Sequence, residues 1–482
     1  MSPPPGGNPA PAPSSLGGRL GRHLLLLAMV LVVMILALHG CASIYLGQQM
    51  DDALAGAEER WGPLATQEED IPRPADEVNA AVLLRAAVAV HELDTANLPA
   101  LNRLKQGKGS TAADRPALQA IVETNAEALA LLDAALDKPQ VDWRAEPPPG
   151  SHQQTDVPPY SRLLPLAGTN WTSGMLAAAA GDTAAAVAAV QRQLLVARAM
   201  ESDFHLMPQV LRIRVASRAL DLIRAVLEKT DPTATQLQVL HDGLQDLPGG
   251  EALHRSMIAE FKDTTRLYLA MLHGSTDLGE PAGADSDDSF DLRAVAVERA
   301  GRTLRGENPM TPQDAQVLSS GALRWVVKPW LRNRMARYVN DSNALLSWQA
   351  VPVYQRQGEA GVPGLGQPPA DDWLARIFPN LQMDTQLLAL GDMLDARLAI
   401  TRTAVALCRA RVAHGSYPET LAELVPGFMA EAPMDPLAGE APIYRLVDQG
   451  FVLESRRIEL EAEITRNEPW GPTGLLSWSI SR

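Results

Sequence analysis

Cysteine is scarce in this chain, occurring only at Cys41 and Cys408 among 482 residues. Two thiols exclude a disulfide-stapled scaffold, and because Cys41 lies inside an apolar run an internal disulfide has no support. Positive charge is short as well: 42 Lys and Arg face 57 Asp and Glu, a formal net charge of -15. Such a balance repels phosphate backbones, so no nucleic-acid partner is expected. Aromatic residues reach only 5%, while alanine runs are frequent. Strands favour aromatic and β-branched side chains and helices favour alanine, so the fold is expected to be mainly helical. Apolar residues at 46% and charged residues at 21% exclude a wholly disordered chain.

Signatures of catalysis are missing too. His-Glu-x-x-His, paired Cys-x-x-Cys, Gly-x-Ser-x-Gly and Ser-x-x-Lys do not occur, which removes the usual markers of zinc and nucleophilic chemistry. Lys105-Gln106-Gly107-Lys108-Gly109-Ser110-Thr111 lacks the spacing of a phosphate loop and reads as a flexible turn. Glu251-x-x-His254 has the spacing of a di-iron helix, but no second Glu-x-x-His exists to complete the site. His91 falls on an apolar face and reads as a hydrogen-bonded core histidine. The acidic run at Asp285, Asp287, Asp288 and Asp291 has Ser289 where a calcium loop needs a ligand and lacks the glycine of its sharp turn. No catalytic, cofactor-binding or metal-binding residue is therefore assigned, and no cofactor is expected. Asn170-Trp171-Thr172 and Asn340-Asp341-Ser342 match glycosylation acceptors by a spacing that is common by chance.

One run stands out. Residues 1–22 are rich in Pro, Gly and Ser and read as a disordered cytoplasmic tail. Leu24 to Leu38 is unbroken and apolar, and extended through Leu46 within the segment 23–46 it is about 34 Å long as a helix, enough for a hydrocarbon core of about 30 Å. Arg19, Arg22 and His23 precede it and Asp51, Asp52, Glu58 and Glu59 follow it. The positive-inside rule then puts the N-terminus in the cytoplasm and the bulk of the chain outside. A retained signal-anchor is the leading reading. A lipoprotein signal, with Cys41 as the lipidated residue, is the alternative; Leu38 and Gly40 suit a lipobox and His39 departs from it. A cleaved secretory signal is the third.

The remainder divides by texture. Residues 47–75 read as a juxtamembrane linker with room for a short helix, 76–350 as a helical ectodomain, 351–383 as a loop-rich linker, and 384–482 as a long helix plus a small α/β module. Asp76 is placed as the N-cap of a first helix, and one helix is expected from Asp114 and Pro116 through Leu136. Helices around the Gly181-Asp182 turn resemble a helical-hairpin repeat, without a sustained period. A helix from Gly321 to Trp348 is expected to break at Pro329; it carries Arg324, Lys328, Arg332, Arg334 and Arg337 interleaved with Trp325, Trp330 and Tyr338. Cys408 sits on an apolar stripe with Leu394, Leu398, Thr401 and Val405 and reads as a buried thiol. The expected fold class is mainly α: an N-terminal transmembrane helix, a multi-helix bundle and a small C-terminal α/β hairpin module.

In that last module Gly415, Tyr417, Pro418, Leu421, Leu424, Pro426, Pro433, Asp435, Pro436, Tyr444, Gly450 and Phe451 follow one another in a recognisable order. The stretch of about 411–455 resembles the C-terminal motif of type II secretion pseudopilins, which also ends many membrane-anchored bacterial proteins. The resemblance implies a shared submodule, since no prepilin cleavage pattern precedes the apolar run. Some pseudopilins bind calcium near this loop; here Asp435 and Asp448 fall short of the six to eight oxygens that calcium takes. Together these readings point to a membrane-anchored extracytoplasmic protein with an interaction or scaffold role in the bacterial envelope, partnered by the membrane and by an envelope protein. The alternatives are an extracytoplasmic hydrolase with a scattered active site and an accessory of a secretion assembly.

Overall fold

A computed structural model of the chain describes residues 16–64, 74–93, 96–105, 113–143, 160–201, 206–273, 321–356, 382–448, 450–457 and 476–480. The phosphate-loop look-alike beyond Lys105, the acidic run at 285–291 and most of the 351–383 segment lie outside these residues. The chain is mainly helical, with a small antiparallel sheet at its C-terminal end. It divides into two compact units, one of residues 1–63 and 265–340, the other of residues 64–264 and 341–482.

In the first unit α1 (Leu16–Trp61) is one continuous helix. From Leu25 to Leu38 its side chains stand exposed, Leu25 at 68%. The stretch is long and apolar enough to cross a membrane, a property that anchors and signal sequences share. The helix does not stop near residue 46. It runs on through the segment read as linker and ends where Gly62, at φ +76°, donates to the Glu58 carbonyl. The reason is a second pattern: Gly47, Met50, Ala53, Ala57 and Trp61 fall three or four apart and are all buried, an amphipathic face that outlasts the apolar run. The unit also holds the N-terminal part of α11 (Gly321–Ala350), which passes through Pro329 without a break.

The second unit is a bundle. Its helices are α2 (Ala80–Val90), α3 (Leu98–Lys105), α4 (Arg115–Thr124), α5 (Ala126–Leu136), α6 (Tyr160–Ala180), α7 (Thr183–Ala199), α8 (Leu206–Lys229), α9 (Ala234–Gln245), α10 (Glu251–His273) as far as Thr264, the end of α11 from Asp341, and α12 (Gln382–His414). Helix α7 packs between α6 and α8 and touches α5 and α9, while α12 lies across α8 and α9. Alanine recurs among the larger Leu, Val and Ile side chains at these contacts: Ala186, Ala189, Ala197, Ala216 and Ala219 are fully buried. Asn79, not Asp76, caps α2, its side chain accepting from the Ala81 N–H; Asp76 sits in a separate 3-10 turn. The single helix expected from Asp114 is two, α4 and α5, divided at the buried Asn125. There the Asn125 side-chain amide donates to the Glu92 and Ile121 carbonyls, drawing the backbone out of register.

The sheet follows α12. Gly415 (φ +82°) closes that helix in the left-handed region, where a glycine carries no Cβ penalty. β1 (Ile443–Val447) pairs antiparallel with β2 (Gly450–Glu454), Tyr444 opposite Leu453, and β2 pairs with β3 (Ser477–Ile480), Phe451 opposite Ile480. Phe451, Leu453, Trp478 and Ile480 are buried, and β2 and β3 pack towards α12 and α8 respectively.

Candidate functional site

The densest concentration of buried charge lies between α8 and α12, around the Leu247-Pro248-Gly249-Gly250 turn that joins α9 to α10. Arg212 of α8 is fully buried. Its Nε donates to Gln209 Oε1 at 2.6 Å, Nη1 to the Pro248 carbonyl at 2.6 Å and Nη2 to the Gly249 carbonyl at 2.8 Å. Burial lowers its pKa to about 10, so the guanidinium stays charged at neutral pH. Arg402 of α12 reaches the same turn from the other side, its Nη2 donating to the Leu244 carbonyl at 2.7 Å. That carbonyl belongs to the last turn of α9, where the helix dipole favours a cation.

The turn's N–H groups are met by a carboxylate. Asp395 Oδ1 accepts from the Gly250 N–H at 2.7 Å, at the start of α10. This closeness requires both glycines: a Cβ on Gly249 would stand 1.9 Å from Asp395 Oδ1, and one on Gly250 2.8 Å from Oδ2. Burial raises the Asp395 pKa, opposed by the Gly250 bond and by Arg212 and Arg402.

One turn earlier on α12, Asp392 accepts from Arg356 Nη1 at 2.6 Å in a largely buried pair. Arg356 also donates to the Gln349 and Val351 carbonyls and lies over the Trp348 ring at 4.6 Å. It thereby fastens the segment after α11. Burial pushes the Asp392 carboxyl up to about 6, with Arg356 opposing and Asp395 adding to the rise. Two residues beyond Asp395 on α12, Arg397 pairs with the largely buried Asp221 of α8 at 2.7 Å, and burial raises that carboxyl as well. Arg192 of α7 is paired with Asp133 and donates to Asn170.

What this arrangement does chemically is hold chain. Arginines take carbonyls, Asp395 takes an N–H, and the ion pairs join helix to helix. A buried charge left unpaired costs several kcal/mol, so each such group ties down its partner segment. A catalytic group would instead need a free lone pair or proton facing a substrate. Among the described residues no histidine is hydrogen-bonded to a carboxylate. His91 Nε2 meets Thr169 Oγ1 at 3.0 Å, and His254 Nδ1 meets Gln349 Oε1 at 2.7 Å.

The sequence-derived candidates fall elsewhere. Cys41 is exposed on α1, Cys408 is buried in α12, and both are free thiols. His254 and Glu251 share the first turns of α10 without a metal cluster around them among the described residues. Asn170 is fully buried and its side-chain amide donates to Ala189 and Gln193, so it is closed to glycosylation in this fold. Asp435 is buried in its turn, its carboxylate accepting from the Leu437 and Arg456 N–H groups and from Ser455 Oγ. Around it Tyr444 donates to the Pro418 carbonyl at 2.7 Å, Tyr417 meets Phe451 edge-on, and Arg411 lies over Tyr417. Burial pushes the Tyr444 phenol to about 12.

The clamp residues Arg212, Arg356, Asp392, Asp395 and Arg402 escaped sequence reasoning. A signal was present: Arg212 stands three before Val215 on the buried stripe of α8, a charge where apolar residues recur. No family model matches the chain, and no curated protein and no solved structure matches it.

Proposed function

We propose that this chain is a membrane-anchored extracytoplasmic protein of the bacterial envelope that acts as an interaction scaffold. The observation that carries this reading is α1, whose apolar side chains from Leu25 to Leu38 all stand exposed among the described residues. So much exposed apolar surface is unfavourable in water at about 25 cal/mol per Å2, and a hydrocarbon core removes that cost. Arg19, Arg22 and His23 before it and Asp51 and Asp52 after it support a cytoplasmic N-terminus. The scaffold part is supported by where the buried charge goes: into clamps that stiffen a helical bundle. The test is alkaline extraction of membranes followed by protease treatment of sealed cells. Retention in the membrane pellet with digestion from outside is expected; release into the supernatant refutes the anchor, and protection from outside refutes the orientation.

A second reading, an accessory of a secretion assembly, is supported by the pseudopilin-like segment, whose Tyr417, Pro418, Asp435, Tyr444 and Phe451 form one interlocked module. Co-purification with secretion components, lost on deletion of residues 415–482, tests it; a chain that purifies alone refutes it.

A further inference from the structure

The basic, tryptophan-bearing start of α11 lies beside the part of α1 where its apolar run gives out. The His39 and Trp325 rings stand 3.9 Å apart between centroids. Seven residues on, Arg332 Nη1 donates to the Ser43 carbonyl and, at 2.9 Å, to Ser43 Oγ. The approach is close enough that a Cβ on Gly47 would stand 3.1 Å from that same Nη1. Position rises together along both helices, from 39 beside 325 to 43 and 47 beside 332, so α11 runs alongside α1 with its N-terminus directed towards the apolar run.

Depth follows from length. A hydrocarbon core of about 30 Å takes about twenty helical residues, so one entered near Leu25 ends near residue 44. Trp325, at the level of His39, then falls within the last turn and a half of the hydrocarbon, from where its ring can reach the interface that tryptophan favours. It is 48% exposed. Lys328 stands one turn further out, between the levels of His39 and Ser43, from where its four-carbon stem can carry the charge up to the headgroups.

Charge supplies the second observation. Elsewhere the arginines Arg192, Arg356 and Arg397 each sit on a carboxylate. Lys328 and Arg337 make no ion pair among the described residues, and Arg332 bonds only the neutral Ser43 there. Their charges are therefore available to an anionic group outside the chain. Lysine and arginine near an apolar surface extend their stems over it and hold their charges at the level of lipid phosphates.

We propose that residues 321–332 of α11 form an interfacial lipid-binding element, with Trp325 seated at the hydrocarbon edge and Lys328 on the headgroup of an anionic phospholipid. This rests on the membrane reading of α1, and one preparation separates the two. The full chain is reconstituted in phosphatidylcholine vesicles with brominated acyl chains, with and without phosphatidylglycerol. Alkaline washing comes first: protein lost from the vesicles refutes the membrane reading itself. For retained protein, Trp325→Phe is expected to remove a measurable share of the bromine-quenched fluorescence; an unchanged quenched share refutes the proposal while leaving the anchor intact. Spin-labelled phosphatidylglycerol is expected to be preferred over labelled phosphatidylcholine at least twofold, and Lys328→Glu to abolish that preference without changing the helical circular dichroism. A preference equal in wild type and variant refutes the headgroup site.

Discussion

Asp392 places an acid near neutrality inside the bundle, and this has a direct consequence for stability. Its pKa is raised from 3.8 to about 6, first by burial. A carboxyl whose folded pKa lies above its unfolded one favours the folded state while protonated. That contribution is full below pH 4 and is lost as pH rises through 6. One pKa unit corresponds to about 1.4 kcal/mol, so up to about 3 kcal/mol is at stake. Relative to wild type, Asp392→Asn is therefore expected to gain stability between pH 4 and pH 7, in urea unfolding followed by circular dichroism; a difference independent of pH contradicts the account. The glycine beside Asp395 gives a second check. Gly249→Ala would put a Cβ 1.9 Å from the carboxylate and force the clamp apart. A loss of about 1–3 kcal/mol is expected, the range of overpacked sites. An unaltered midpoint would show that the turn yields freely.

Among the elements, α9 illustrates a local signal with a readable cost. Thr233 and Gln236 form a reciprocal capping box at its start. Thr233→Ala is expected to cost about 1 kcal/mol, seen as a lower urea midpoint with an unchanged slope. The helices with apolar spacing were legible from sequence: α10 begins at Glu251, α7 follows the Gly181-Asp182 turn, and Pro208 lies in the first turn of α8, because 3.6-residue periodicity is a local property. The hairpin of β1 and β2 was legible for the same reason, from its apolar runs around a turn. What was not legible depends on distant partners. The extension of α1 to Trp61 rests on a sparse buried face, Gly47, Met50, Ala53, Ala57 and Trp61, that looks like linker in isolation, and the helix through Pro329 persists where proline alone argues for a break. The clamp joins residues 145 apart in the chain, Gly250 and Asp395, and no local pattern connects them.

At the scale of the whole molecule, the account divides labour between an exposed apolar helix and a stiffened helical bundle with a small sheet. Its central claim is that α1 is retained and holds the chain in the membrane. Cys41, exposed on that helix, is the point at which a lipoprotein reading would diverge. The most direct measurement is the intact mass of the protein extracted from membranes, beside a Cys41→Ala variant. The account predicts the mass of the full 482-residue chain for wild type, and a mass shifted only by the substitution for the variant. A shortened wild-type mass carrying acyl chains that disappear with Cys41→Ala, or a shortened chain in the soluble fraction, would contradict it.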